Sequence, residues 1–279
     1  MSCPQCFSGH VNPGTPVGTI EQIYGRPTYV SRPPNGKQAL GVLVIIPDAF
    51  GLPFVNNQIL ADHYASAGQY LVYLPDFMDG GAVPLSMMYN MAYLAESSWL
   101  WTPYYLTAVI VDIVPHLWRN RMSVCWPRMT SWFSALREDV SLPIGAAGFC
   151  WGGLHAIMLT HDREDTKTKN GQNFVDASFA AHPSGVAVPG DFEKVVRPLS
   201  IAVGDDDAVM SIKQAQEAKQ SLEKTAPATT EVVVYPGARH GFAVRASRSK
   251  PDSKETRQAE EAENQAIAWF QRHFAAVKH

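Results

Sequence analysis

The sequence predicts an α/β domain built on a mostly parallel sheet with helices on both faces, and three observations lead there. Short apolar stretches alternate with stretches of helical period along most of the 279 residues. One of them, Gly41-Val42-Leu43-Val44-Ile45-Ile46, has no polar side chain at all, as a strand covered on both faces requires. The glycine-flanked turn Gly148-Phe149-Cys150-Trp151-Gly152-Gly153 ends one apolar stretch and opens a helical one, so a buried strand turns there sharply into a helix. With 46% apolar residues the chain can bury a large core, and a single domain spanning 1–279 is the economical reading.

Taken in order, 23–30 and 41–47 read as strands, with Asn35-Gly36 as a turn pair in the Pro-rich connection between them. Pro47-Asp48-Ala49-Phe50-Gly51-Leu52-Pro53 breaks the second strand, and 56–67 has apolar residues at helical spacing. The next strand is 70–74, closed by Pro75-Asp76. Strand, loop, helix, strand is a βαβ unit and implies parallel pairing.

No strand pattern is visible from about 79 to 139. Helical runs lie at 85–97, 103–119 and 126–136, and all seven tryptophans except Trp151 and Trp269 fall in this stretch. A helical, aromatic-rich insertion in an α/β domain reads as a lid over the site. After the Cys150 turn the alternation resumes, with strands at 177–181, 199–203 and 231–235 and helices at 211–224 and 253–274. In the last helix, Ala262, Ala266, Phe270 and Phe274 form an apolar stripe that should pack on the sheet.

The net charge of −3 offers no footprint for nucleic acid. The N-terminus has neither a basic nor an apolar leader segment, and the most apolar helical run, 105–114, is too short for a membrane span and contains Asp112. A cytoplasmic protein with no membrane or nucleic-acid partner is expected, its four cysteines being thiols. Cys3 and Cys6 form a C-x-x-C pair, but no second C-x-x-C or H-x-x-x-H pair completes a metal site. The pair reads as structural or incidental, and no metal or cofactor is expected.

The chemistry centres on Cys150. Glycines two positions to either side let strand and helix approach, and the helix N-terminus favours the thiolate. A buried cysteine in a glycine-rich turn would look the same in isolation, so its partners decide. A catalytic cysteine needs a base and a group that orients the base. Gly204-Asp205-Asp206-Asp207 follows the 199–203 strand and Arg239-His240-Gly241-Phe242 follows the 231–235 strand. In a parallel sheet the loops after successive strands converge on one edge. The chain order nucleophile, acid, His is that of the α/β-hydrolase fold.

These segments resemble the dienelactone hydrolase family: the elbow around Cys150, the Pro47-Asp48-Ala49-Phe50-Gly51 loop, the Gly204-x-x-Asp207 turn and the Arg239-His240-Gly241-Phe242 segment. Ser2-Cys3-Pro4-Gln5-Cys6-Phe7-Ser8-Gly9-His10 and Tyr73-Leu74-Pro75-Asp76-Phe77 are more similar to its fungal members. The resemblance implies a triad of Cys150, His240 and Asp207 and hydrolysis of an ester or lactone through a thioester. It also implies an oxyanion hole from the N–H groups of Ala49 and Trp151, and an acid, here Asp48, that pairs with the resting cysteine. Phe50, His182 and Arg245 join Asp48 as candidate pocket residues.

Three rival readings differ in class. A glutamine amidotransferase would have its acid two residues after the His, where Phe242 stands. A non-hydrolytic member of the fold, such as a lyase, a cyclase or a ligand-binding protein, would keep the same site. An interaction protein would use the aromatic insertion as a docking surface and expose its tryptophans. For a hydrolase, the aromatic insertion and an Arg245 directed away from the pocket by an extended segment both favour a bulky, uncharged ester or lactone over the anionic dienelactone.

Overall fold

Two antiparallel strands, β1 (Thr19–Ile23) and β2 (Arg26–Ser31), open the sheet in the computed structural model, which describes residues 4–277. The remaining strands are β3 (Val42–Ile46), β4 (Leu71–Pro75), β5 (Ile144–Phe149), β6 (Ala177–Ala181), β7 (Leu199–Gly204) and β8 (Thr230–Tyr235). They lie in the order β1-β2-β4-β3-β5-β6-β7-β8, with every pairing from β4 to β8 parallel. β5, the strand that ends at Cys150, is therefore central. The loops after β5, β6, β7 and β8 leave from one edge.

The two-residue period of β3 divides the core. Leu43 and Ile45 face α1 (Val55–Gly68) and α8 (Lys254–Phe274), where Ala262, Ala266, Phe270 and Phe274 pack as the stripe predicts. Val42, Val44 and Ile46 face the opposite layer, which holds α4 (Met122–Asp139) and α5 (Trp151–Met158). α6 (Ile212–Thr225) covers Ile201 and Val203 farther along that face. Each fully buried Leu, Ile, Val or Phe of these layers contributes about 1.5–3 kcal/mol.

Three expectations need correction. The 23–30 strand is a hairpin, because Tyr24 and Gly25 both take positive φ (47° and 75°) and turn the chain between β1 and β2. The 79–139 stretch is helical, as α2 (Ser86–Glu96), α3 (Thr102–Arg119) and α4, but α4 belongs to the sheet layer: Trp126, Met129, Trp132, Phe133 and Leu136 are buried against β3. α3 lines the cavity above Cys150 together with Met122 at the start of α4, and α2 is joined to α3 where Asp112 accepts hydrogen bonds from Ser86 and Asn90 at 3.1 Å. The segment after His240 is a helical turn, α7 (Phe242–Arg245), because Gly241 at φ 89° caps it and the amides of Val244 and Arg245 donate to the Gly241 carbonyl.

No helix among the described residues is long and apolar enough to cross a membrane.

Candidate active site

Cys150 sits between β5 and α5 with φ 50° and ψ −110°, a strained backbone that lifts its side chain above the sheet edge. Its neighbours show why glycine is required here. A Cβ on Gly152 would fall on the carbonyl of Ile46, and one on Gly148 would fall on the carbonyl of Gly152. The turn is pinned to the next strand by the Cys150 amide, which donates to Ala181 at 3.2 Å, and by the Cys150 carbonyl, which accepts from Ser184 at 2.9 Å.

The loops after β7 and β8 bring an acid and an imidazole to the same edge. Asp207 and His240 are both buried, with His240 Nδ1 3.0 Å and 3.1 Å from the two Asp207 oxygens. Asp207 Oδ1 also accepts from the amides of Val209 and Met210, which fixes the carboxylate. The other side of the ring faces the cysteine: Ser184 Oγ is 3.3 Å from His240 Nε2 and 3.3 Å from Cys150 Sγ. Asp205 and Asp206 point elsewhere, toward the Gly237 amide and the Arg239 guanidinium.

The electrostatics favour an ion pair. The Cys150 thiol is held well below its ordinary range by a hydrogen bond from Cys6; burial opposes this and the His240 charge reinforces it. Burial pulls the His240 imidazole down, but the Cys150 thiolate and the Asp207 hydrogen bond more than offset that and leave it near 9, up from 6.5. Each charge favours the other, so the pair leans toward thiolate and imidazolium.

A cavity of about 340 Å³ opens above Cys150, lined by Cys6 and Phe7 from the N-terminal segment, Ala49, Trp151 and Leu154, and Ile113, Leu117 and Met122 from the helical stretch. Ala49 and Trp151 both line it, and the backbone N–H of neither donates a loop, turn or cap hydrogen bond among the described residues. Trp151 is braced from below by His155, whose Nδ1 lies 3.0 Å from the Trp151 carbonyl and whose ring lies 4.3 Å from the indole.

The four expected pocket residues lie beneath this cavity or beside it. Asp48 is fully buried and pairs with Arg245 Nη1 at 2.5 Å, while its Oδ1 accepts from Phe50 N at 3.2 Å and Asn57 Nδ2 at 3.1 Å. Burial pushes the Asp48 carboxyl up and the guanidinium opposes it. Arg245 points inward rather than to the opposite face, because α7 is helical and not extended. Phe50 packs against Phe7 and Phe54. His182, also buried, packs its ring 5.1 Å from that of His240 and between Phe149 and Phe242, and burial keeps it neutral.

The tryptophans of the helical stretch do not line the cavity either. Trp126 and Trp132 are core, whereas Trp99, Trp101 and Trp118 are 85%, 58% and 70% exposed. That exposed face is what a docking surface would show, and it lies outside the cavity above Cys150.

Sequence reasoning missed Ser184 and set Cys6 aside. Ser184 follows β6 in Ala181-His182-Pro183-Ser184, at the same sheet edge as the Cys150, Asp207 and His240 loops, and that position was its signal. Cys6 is brought in by Gln5, whose Oε1 accepts from His240 N at 3.2 Å and Ala208 N at 3.0 Å and whose Nε2 donates to the Asp206 carbonyl at 3.2 Å. Its C-x-x-C partner, Cys3, lies outside the described residues.

A mostly parallel sheet with a cysteine on the elbow after its central strand, and an acid and a His on later loops of the same edge, defines an α/β-hydrolase. The dienelactone hydrolase family model matches residues 27–274, and the chain belongs to that family. It is by that membership an enzyme of the ester- and lactone-hydrolysing class. Among characterised proteins it is similar to the hydrolase tropI of Talaromyces stipitatus, at 28% identity over 97% of this chain and 95% of that one. It is similar also to the hydrolase pyvD of Aspergillus violaceofuscus, at 26% identity over 95% and 94%. Among solved structures, a putative dienelactone hydrolase of Klebsiella pneumoniae shares the fold with a TM-score of 0.61 at 20% identity, over 92% of this chain and 98% of that one.

The geometry separates the three aspartates. Asp207→Asn should lower kcat by about a hundredfold, less than the roughly 10⁴ seen for the acid of a serine triad, because the Cys6 hydrogen bond favours the thiolate independently of Asp207. Asp205→Asn and Asp206→Asn should each stay within about threefold of wild type, as surface substitutions outside the catalytic contacts do. Steady-state rates on one aryl ester check all three, and a large loss at Asp205 would contradict the assignment.

Proposed function

We propose that the protein hydrolyses a bulky, uncharged carboxylic ester or lactone through a thioester on Cys150. The observation that supports this most directly is the buried His240–Asp207 pair facing the Cys150 thiol across Ser184. In this reading the Cys150 thiolate attacks the substrate carbonyl, and the tetrahedral oxyanion is received by the Ala49 and Trp151 N–H groups, each donor being worth roughly 3 kcal/mol. His240, as the imidazolium that the thiolate and Asp207 favour, gives its proton to the leaving alkoxide. It then takes a proton from the water that cleaves the thioester, while Asp207 holds the tautomer throughout.

The substrate class follows from the cavity. Phe7, Ile113, Leu117, Met122, Leu154 and Trp151 give it apolar walls. The guanidinium of Arg245 is committed to Asp48 and the Ser8 carbonyl below. Arg121, at the cavity border, stacks its guanidinium 4.4 Å from the Trp118 ring centre. A neutral aryl ester or lactone should therefore show a kcat/KM at least about tenfold above that for dienelactone, the size of effect a mismatched apolar contact gives. Assaying both on the purified protein tests this, and a strong preference for dienelactone would overturn the substrate reading.

A further inference from the structure

We infer that Cys6, Cys150 and His240 form a binding site for a thiophilic divalent cation of the Zn²⁺ class. Their ligand atoms, two Sγ and one imidazole nitrogen, lie within 4.8 Å of one another. In a tetrahedral zinc site, with Zn–S of about 2.3 Å and Zn–N of about 2.0 Å, ligand atoms sit roughly 3.5–3.8 Å apart. The set therefore needs to close by no more than about 1.3 Å. Rotation of the Cys6 side chain about its own bonds can supply that movement while Gln5 keeps the backbone in place, since Cys6 is half-buried in the short 3-10 turn Pro4–Phe7 whereas Cys150 and His240 are buried at the sheet edge.

The surroundings suit a metal ligand set. His240 Nδ1 is engaged by the Asp207 carboxylate, which leaves the other nitrogen toward Cys150, the carboxylate–histidine–metal arrangement that raises ligand basicity. Two thiolates and a neutral imidazole around a dication carry no net charge, which suits a site as buried as Cys150 and His240 are. The adjoining cavity, lined by both Cys6 and Cys150, leaves the fourth position open.

A bound ion would remove the nucleophile and the base together, so the metal would act as a reversible inhibitor. The site itself rests on geometry and stands independently of the hydrolase reading. In this proposal the C-x-x-C pair contributes Cys6 to a site completed by distant residues, in contrast to the sequence expectation that no metal binds.

The test is a titration of metal-free, TCEP-reduced protein with Co²⁺, followed by displacement with Zn²⁺. The expected result is one equivalent bound, with a thiolate-to-cobalt charge-transfer band and the intense visible bands of tetrahedral Co²⁺. Cys6→Ser and Cys150→Ala, each confirmed as folded by near-UV circular dichroism, should halve the charge-transfer intensity and weaken binding at least about tenfold, since each removes one of three protein ligands. His240→Gln should keep the charge-transfer intensity and weaken binding similarly. No charge-transfer band in the wild type, Cys6→Ser binding as tightly as wild type, or a full band surviving in Cys150→Ala, as an ion held by Cys3 and Cys6 alone would give, overturns the proposal. No substrate enters the titration, so a protein that binds the ion but turns over no ester would refute the hydrolase reading alone.

Discussion

Cys150→Ala is expected to lose ester hydrolysis by roughly 10⁶-fold, the size of loss seen when the nucleophile of a triad is removed. The side chain it replaces is small and 3% exposed, and the elbow is held by backbone contacts to Ala181, Ser184 and Gly153 that the substitution leaves in place. Folding should be preserved. Cys150→Ser should recover little, because the hydrogen bond from Cys6 and the His240 charge that ionise a thiol cannot ionise a hydroxyl of far higher pKa. Mass spectrometry of the wild type during turnover of a slow aryl ester should show the acyl group on Cys150. An alanine variant with substantial turnover would refute covalent catalysis.

The sheet and the meeting of Cys150, Asp207 and His240 at one of its edges were legible in the sequence for a shared reason: each is encoded locally. A strand buried on both faces must be apolar throughout, and the glycines of the elbow are demanded by contacts of that same turn with Ile46 and Gly152. Loops after parallel strands converge by topology, so Asp207 and His240 could be placed without knowing any distance. What failed depended on packing between distant segments. The insertion's tryptophans were assigned to a pocket, but period alone cannot say which face of a helix meets the sheet, and Trp126 and Trp132 went to the core while Trp99, Trp101 and Trp118 faced outward. Cys6 looked incidental because its partners come from other strands' loops, reached only through the hydrogen bonds of Gln5. Tyr24-Gly25 escaped notice because tyrosine at positive φ is no common turn signal.

Arg245 was the residue most misjudged, and it leads to the second large effect. Arg245→Met should destabilise the fold by about 3–5 kcal/mol, because it leaves the Asp48 carboxylate buried without its countercharge. For a chain of this size that lowers Tm by about 10 °C. The same substitution removes the hydrogen bonds from the guanidinium to the Ser8 and Gln5 carbonyls. Those bonds, with that from the His10 amide to the Arg245 carbonyl, hold the N-terminal segment against the site. Loosening it withdraws Cys6 and Phe7 from the cavity and Gln5 from His240, so kcat/KM should fall for neutral and anionic substrates alike. The double variant Asp48→Asn/Arg245→Met should regain much of the lost stability, since replacing a buried ion pair with neutral groups of similar volume is far less costly than breaking it. An arginine that served mainly to anchor a substrate carboxylate would behave otherwise: Tm would be unchanged, KM would rise for dienelactone alone, and Asp48→Asn would bring no rescue. Thermal unfolding of the three variants, with kinetics on one neutral and one anionic substrate, distinguishes the two roles. The buried geometry, with Arg245 2% exposed and Asp48 fully enclosed, places the guanidinium where it neutralises the carboxylate and secures the strap over the site.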